Sequence, residues 1–355
     1  MTSTLRHRFQ GRAWRGLAAA ALAACAASSA LAQSSYGVTE LKPFFLGDSA
    51  RGTALSPTGA VVGFANVLTG YKFEVYSGIV GDYAMSGVLW PWNTASTQAA
   101  VRVSRDFTPL DINASGVMLT SSSTLWQNGK GTPLNTGGTW SQNLRPSAMN
   151  ASNDVAGAVA SPFLQPAWWQ SSGKVLQMLP LPPQTDQGQA TDINDAGQMV
   201  GQVLSLDKVQ FAVRWTGGQV DWVGQPHTDA LAINNNGWIL LATGGATVGG
   251  QTPPTMYALV KPDGTQVPLL DPSGARIIAR NLNNRGDVVG LAADGRVIVR
   301  KQDGSIIDLK QLHAAGKIKL PTGLTLSSCD HINDQGVLLC TTNGKGLRSF
   351  RLRPL

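Results

Sequence analysis

The chain has 355 residues, only 14% of them charged, and a formal net charge of +7. Typical soluble domains carry ~25% charged residues; here Gly, Ser, Thr, Asn and Gln supply the polarity instead, which is a turn-rich β composition and not that of a helical cytosolic enzyme. The basic excess does not point to nucleic acid, because four of the 28 basic residues (Arg6, Arg8, Arg12, Arg15) and no acid lie in residues 1–32, leaving 24 against 21 and a charge of +3 with no dense Lys/Arg stripe.

Residues 1–32 read as a secretory signal peptide: a basic start, an apolar run from Leu17 to Ala24, and an Ala30-Leu31-Ala32 end. The run is too short for a transmembrane helix, and no later stretch is long enough. Leu22-Ala23-Ala24-Cys25 resembles a lipobox, so a lipid anchor at Cys25 and an outer-membrane lipoprotein form the alternative. Cleavage after Ala32 is the preferred reading, with the product exported to the periplasm or the extracellular space. Residues 33–355 are then one domain, long enough for a large core.

That domain opens with an unattached strand, Tyr36 to Leu41, and continues as seven repeats. Their anchors are Leu55-Ser56-Pro57-Thr58-Gly59, Ile112-Asn113-Ala114-Ser115-Gly116, Met149-Asn150-Ala151-Ser152-Asn153, Ile193-Asn194-Asp195-Ala196-Gly197, Ile233-Asn234-Asn235-Asn236-Gly237, Leu282-Asn283-Asn284-Arg285-Gly286 and Ile332-Asn333-Asp334-Gln335-Gly336. Asn, Asp or Ser favours the first position of a type I turn, and Pro is accepted at the second. The residue that follows the turn goes left-handed in a G1 bulge, which wants Gly or, next best, Asn. Asn113, Asn150, Asn194, Asn234, Asn283 and Asn333 are therefore structural turn residues. This loop sets the residue before each Asn opposite the residue five after it. All seven pairs, Leu55/Val61 through Ile332/Leu338, are then apolar on both sides, whereas a slip of one residue would reverse every face.

A third strand follows each hairpin, often ending in Trp (Trp90, Trp126, Trp169, Trp215), and Asp263-Gly264 and Asp303-Gly304 mark the turn to a fourth. Four short strands in about 46 residues is the pattern of a propeller blade. The expectation is an all-β, seven-bladed β-propeller, its last blade completed by the N-terminal strand, which would also remove exposed edges. An open β-solenoid is the alternative.

The repeat resembles that of the HAF-repeat family of bacterial extracellular proteins. The resemblance rests on Asp192-Ile193-Asn194-Asp195-Ala196-Gly197-Gln198-Met199-Val200-Gly201, Asn283-Asn284-Arg285-Gly286-Asp287-Val288-Val289-Gly290, a degraded Phe211-Ala212-Val213-Arg214-Trp215, the opening Tyr36 to Leu41 and the closing Phe350-Arg351-Leu352. It implies export and a propeller-like fold, and carries no catalytic residues to transfer.

Candidate chemistry is sparse. Asp192, Asn194 and Asp195 offer oxygens suited to Ca²⁺, but turn formation explains every unit and no metal site or cofactor is predicted. Gly47-Asp48-Ser49 resembles an esterase nucleophile block without its Asp-x-x-His partner, since His227, His313 and His331 lack an Asp three residues earlier. Cys329 and Cys340 flank the last hairpin; an exported protein favours their disulfide, yet a regular register sets Asp330 opposite Cys340, so the bridge is left open. Variable connections on one side of the ring hold Tyr71, Phe73, Tyr76, Tyr83 and Trp140, which suit stacking on a glycan or peptide or, alternatively, cover a small core of the insertion. The expected function is a non-catalytic exported propeller that binds a glycan or a cell-envelope protein. The alternative is a secreted carbohydrate-active enzyme, a lyase or hydrolase, with Asp111, Asp192, Arg280 or His331 converging on the axis.

Overall fold

The computed structural model describes residues 35–44, 46–138, 143–160, 162–171, 175–245, 253–344 and 348–355. The signal segment with Cys25, and Trp140, lie outside the described residues. Seven antiparallel sheets form the ring of a β-propeller. Their innermost strands are Ala50–Leu55, Pro109–Ile112, Leu144–Met149, Thr185–Ile193, Thr228–Ile233, Ile277–Leu282 and Thr325–Ile332, in blades 1 to 7. Each passes through the repeat turn into a second, mostly buried strand, such as Val155–Ala160 in blade 3.

All seven apolar pairs stand opposite one another, from Leu55 with Val61 to Ile332 with Leu338. The residue after each turn is left-handed, including Asn153 with φ 66° where the other repeats have Gly. The tryptophans of the third strands fill the gaps between blades. Trp90 and Trp215 are fully buried, and their indole N–H groups donate to the preceding blade, at Lys42 O (2.9 Å) and Pro180 O (2.8 Å).

One feature of the inner strands departs from the expected register. In all seven blades the ladder skips one residue two places before the apolar anchor: Thr53, Leu110, Ser147, Thr191, Leu231, Arg280 and Asp330. Each is a β-bulge, with one extra residue on the inner strand. In blade 7 the bulge at Asp330 shifts the pairing so that Cys329, not Asp330, faces Cys340, and the two are joined by a disulfide. The geometric objection to that bridge is therefore removed by the bulge, and the staple ties together the two innermost strands of the closing blade.

Blade 7 is completed from the other end of the chain. The strand Tyr36–Lys42 pairs antiparallel with Ser349–Pro354, from Tyr36 opposite Pro354 to Leu41 opposite Ser349. The seam carries a further layer that the repeat pattern does not contain. After Trp90, blade 1 sends residues 91–99 across the seam, where Thr97–Ala99 adds a parallel fifth strand beside Glu40–Lys42. Arg351 lies beneath this strap with no exposed surface. Its guanidinium donates to Gly59 O and Pro91 O at 3.1 Å, Asn93 O at 2.8 Å and Gln98 Oε1 at 3.0 Å, and it lies 4.8 Å from the Trp92 ring centre. Its acceptors are neutral oxygens, so burial holds its pKa down at about 10.

Candidate functional site

Two places hold the residues singled out by the sequence: the axial channel and a ribbon projecting from blade 1. The channel is built by the repeat Asn residues. In each, Oδ1 accepts the main-chain N–H groups two and four residues later, as in Asn283 with Arg285 (3.1 Å) and Asp287 (2.9 Å). The other half of the amide is used between blades. Asn113 donates to Asn150 O, Asn150 to Asn194 O, Asn194 to Asn234 O, Asn234 to Asn283 O, Asn283 to Asn333 O, and Asn333 to Ser56 O, at 3.0–3.5 Å. All six are buried. A ring of amides thus welds seven turns, interrupted only where blade 1 carries Ser56, whose hydroxyl serves its own turn by accepting from Ala60 N.

A second, outer set of bonds follows part of the same ring. Asp195, Asn235, Asn284 and Asp334 each accept the N–H of the equivalent residue in the preceding blade, at 2.7–2.9 Å. The turns close around an axial cavity of about 380 Å³ lined by Asn113, Asn150, Asn234, Asn283, Asn333 and their neighbours. Sequence reasoning placed these Asn residues in their turns but missed that the same side chain spans to the next blade.

Asp111, Asp192 and His331 occupy one position, immediately before the apolar anchor, in blades 2, 4 and 7. Asp111 accepts Ile112 N (2.7 Å) and, from blade 3, Met149 N (2.8 Å). Asp192 does the same with Ile193 N and with Ile233 N of blade 5, both at 2.8 Å. His331 lies beside the main chain of Thr53 in blade 1. The three are near enough for Asp111 to be felt electrostatically by both others. Arg280, the fourth candidate, is the exposed bulge residue of blade 6. Asp111 lines the axial cavity and Asp192 and His331 lie within its electrostatic reach, whereas Arg280 does not line it; the two carboxylates are already engaged, each joining its blade to the next.

Burial raises the Asp192 pKa to about 7, the two N–H bonds opposing only part of the rise, and raises Asp111 likewise. A carboxyl whose folded pKa lies above its unfolded value contributes stability that is complete below pH ~4 and lost as pH rises through ~7. Burial also lowers the pKa of His331, which acts in the opposite sense as pH falls through the ordinary His range. The carboxyl contribution is therefore read as the difference in unfolding free energy between wild type and Asp192→Asn, expected to be larger at pH 5 than at pH 8 with a slope approaching ~1 kcal/mol per pH unit. The exposed turn residues Asp263, Asp271, Asp294 and Asp303 shift the other way through their own hydrogen bonds. Their contribution is lost only as pH falls below ~4, so they leave this window unchanged.

The ribbon is the insertion of blade 1. The second and third strands of that blade, Val61–Glu74 and Gly78–Trp90, run on past the sheet as a two-stranded hairpin. It projects on the side opposite the repeat turns, since the second and third strands of a blade meet at that end. Tyr71 and Phe73 alternate onto one face. Opposite them stand Gly81 and Ile79, and the ring of Tyr83 covers Gly81, 2.7 Å from where a Cβ would lie. The other face carries Lys72, Glu74 and Asp82, with a Lys72–Glu74 ion pair at 3.1 Å. Tyr71 is 70% exposed, Phe73 74%, and Tyr76 at the tip fully exposed, while Tyr83 is 42% exposed. The aromatics therefore do not cover a core of the insertion; they form a bare surface. Asp48 and Ser49 sit at the ribbon's base, where Asn66 donates to the Asp48 carboxylate and to Ser49 O. His227 and His313 lie in inter-blade links, His313 on the short helix Leu309–Ala314.

No helix among the described residues is long and apolar enough to cross a membrane. No family model matches the sequence, and no curated protein matches it. Solved structures match the fold. The β-propeller domain of the Trilobed protease from Pyrococcus furiosus, which has an open velcro topology, aligns with a TM-score of 0.53 at 12% identity, covering 87% of this chain and 94% of that one. The acylaminoacyl peptidase of Pyrococcus horikoshii aligns at 0.50 and 11% identity over 92% of this chain and 53% of that one. YCF48 bound to D1 peptide aligns at 0.43 and 15% identity, over 90% and 93%. The first two alignments support the β-propeller fold and, at such identities, nothing of the chemistry.

Proposed function

We propose that this chain is an exported protein of the HAF-repeat kind that acts as a non-catalytic scaffold, binding a protein of the cell envelope through the aromatic face of the blade 1 ribbon. The observation that carries the reading is the set of Tyr71, Phe73, Val75, Tyr76 and Ile79, all at least 70% exposed, on a hairpin that the ring does not need for closure. An isolated two-stranded hairpin is marginal in water, and a contiguous apolar patch on a rigid scaffold marks an interaction surface. Tyr and Phe supply large contact area at low entropic cost. Their aliphatic neighbours and the absence of a carboxylate or amide on that face suit a protein better than a glycan, which needs hydrogen-bond partners.

The test is capture of partners from an envelope extract, run beside a glycan array. Replacing Tyr71, Phe73, Tyr76 and Tyr83 together by Ser is expected to reduce capture at least tenfold, from about 0.5–1.5 kcal/mol per aromatic side chain, with an unchanged unfolding midpoint. Capture that survives the four changes excludes this surface, and array binding without protein capture makes the ligand a glycan. The enzyme reading rests on Asp111, Asp192 and His331 in the channel. It is the weaker one because each carboxylate already accepts two main-chain N–H groups; polysaccharide turnover abolished by Asp192→Asn would favour it.

A further inference from the structure

The aromatic face is not the only unpartnered part of the ribbon. The first strand of the blade pairs with the ribbon only as far as Ala65, and the outer strand only at Gly87 to Leu89. Between those limits the two ribbon strands pair with each other and, among the described residues, with no other strand. Both edges thus present main-chain N–H and C=O groups to solvent. Long apolar edges of this kind template strand addition, and proteins usually blunt them with charge, Pro or short length. Here the edge from Val67 to Glu74 carries one Lys and one Glu, two residues apart.

That spacing makes the edge complementary to itself. When a strand pairs antiparallel with its own copy, registers centred between residues set polar side chains against apolar ones and are disfavoured. A register centred on Lys72 sets Lys72 against its copy. One centred on Tyr71 sets Phe73 against Thr69 and Glu74 against Leu68. Only the register centred on Phe73 sets Lys72 against Glu74 of the second copy, twice, while keeping Tyr71 against Val75 on the aromatic face. The opposite edge, Gly78 to Ser86, has a lone Asp82 and no cation, so it offers no such match.

We propose that the protein forms a two-fold dimer by antiparallel pairing of residues 71–75 with the same residues of a second copy. The pairing makes a four-stranded sheet whose charged face is laced by two Lys72–Glu74 pairs and whose aromatic face is doubled in width. It goes beyond the ligand-binding reading, because it uses the edge of the ribbon and leaves the face free.

Light scattering and sedimentation equilibrium of the purified protein test it. Wild type is expected at twice the chain mass at tens of micromolar. Lys72→Glu alone, or Glu74→Lys alone, turns two attractive cross-strand pairs into two repulsive ones and is expected to weaken the dimer about thirtyfold. The double variant K72E/E74K restores the dimer. So does mixing the two single variants, which alone are monomeric. A wild type that is monomeric throughout, or single variants that remain as dimeric as wild type, overturns the proposal. The charge variants keep Tyr71, Phe73 and Tyr76, so partner capture by the monomeric variants reports on the ligand surface separately from the dimer.

Discussion

Arg351→Ala is expected to lower the unfolding free energy by about 4 kcal/mol, because buried carbonyls that lose their donor cost roughly 1–3 kcal/mol each, and to open the ring at one seam before the rest. The side chain has no exposed surface and makes hydrogen bonds to five oxygens of blade 1 and its strap. Three of these are the main-chain carbonyls of Gly59, Pro91 and Asn93, which the alanine leaves without that donor inside the seam. The loss is concentrated where the chain ends meet, because the strap 91–99 rests on Arg351 and in turn holds the N-terminal strand: Glu40 N donates to Ser96 O and Ala100 N to Lys42 O. Hydrogen exchange should therefore accelerate first at residues 36–42 and 97–100, with the inner strands of blades 3 to 5 still protected. Arg351→Lys keeps the charge but presents a point donor where a planar fork is used, and is expected to recover less than half of the stability. Unchanged exchange at the N-terminal strand in Arg351→Ala would show that the strap does not depend on this side chain.

The ring, its seven blades and its closing strand were legible because the turn chemistry repeats and the apolar pairs recur in one register. The bulge was legible too, though it was not read. Three residues before each apolar anchor stands Gly52, Pro109, Pro146, Ala190, Ala230, Ala279 or Cys329. A regular strand would put the next inward residue two places away, not three, so the small residue at three signals an extra residue between. Reading that spacing would have paired Cys329 with Cys340. Arg351 could not be found in this way. Its neighbours Phe350 and Leu352 read as an ordinary strand, and the strap that covers it comes from a segment with no counterpart in other blades. The aromatic ribbon was half legible: the cluster Tyr71, Phe73, Tyr76 and Tyr83 is plain in sequence, but exposure depends on whether the insertion folds back or projects. The carboxylates of Asp111 and Asp192 were legible only as residues that an axial active site would need, and their engagement with the next blade's N–H groups follows from ring geometry, which no local pattern encodes.

The amide ring leads to the second large effect. Asn283→Ala is expected to cost about 3 kcal/mol, because one side chain makes four hydrogen bonds, each contributing roughly 0.5–1 kcal/mol: it accepts the N–H groups of Arg285 and Asp287 and donates to Asn333 O and to the Asp287 carboxylate. The chain itself contains the partial substitute. Ser56 in blade 1 accepts Ala60 N within its turn, and it lacks an amide with which to donate onward. Asn283→Ser should therefore restore much of the turn contribution and leave the inter-blade bond broken, for a cost of about half that of alanine. Asn283→Asp separates the roles in the other sense, since it keeps both acceptor bonds but sets a carboxylate facing the carbonyl of Asn333 and the carboxylate of Asp287. It should be no better than Ser at pH 8 and should recover on acidification, when the protonated carboxyl can donate. Denaturant melts of the three variants at pH 8 and pH 5 measure each arm. If Ser and Asp at both pH values match wild type, the ring of amides does not contribute to holding the blades, and the turns alone would account for the recurrence of Asn.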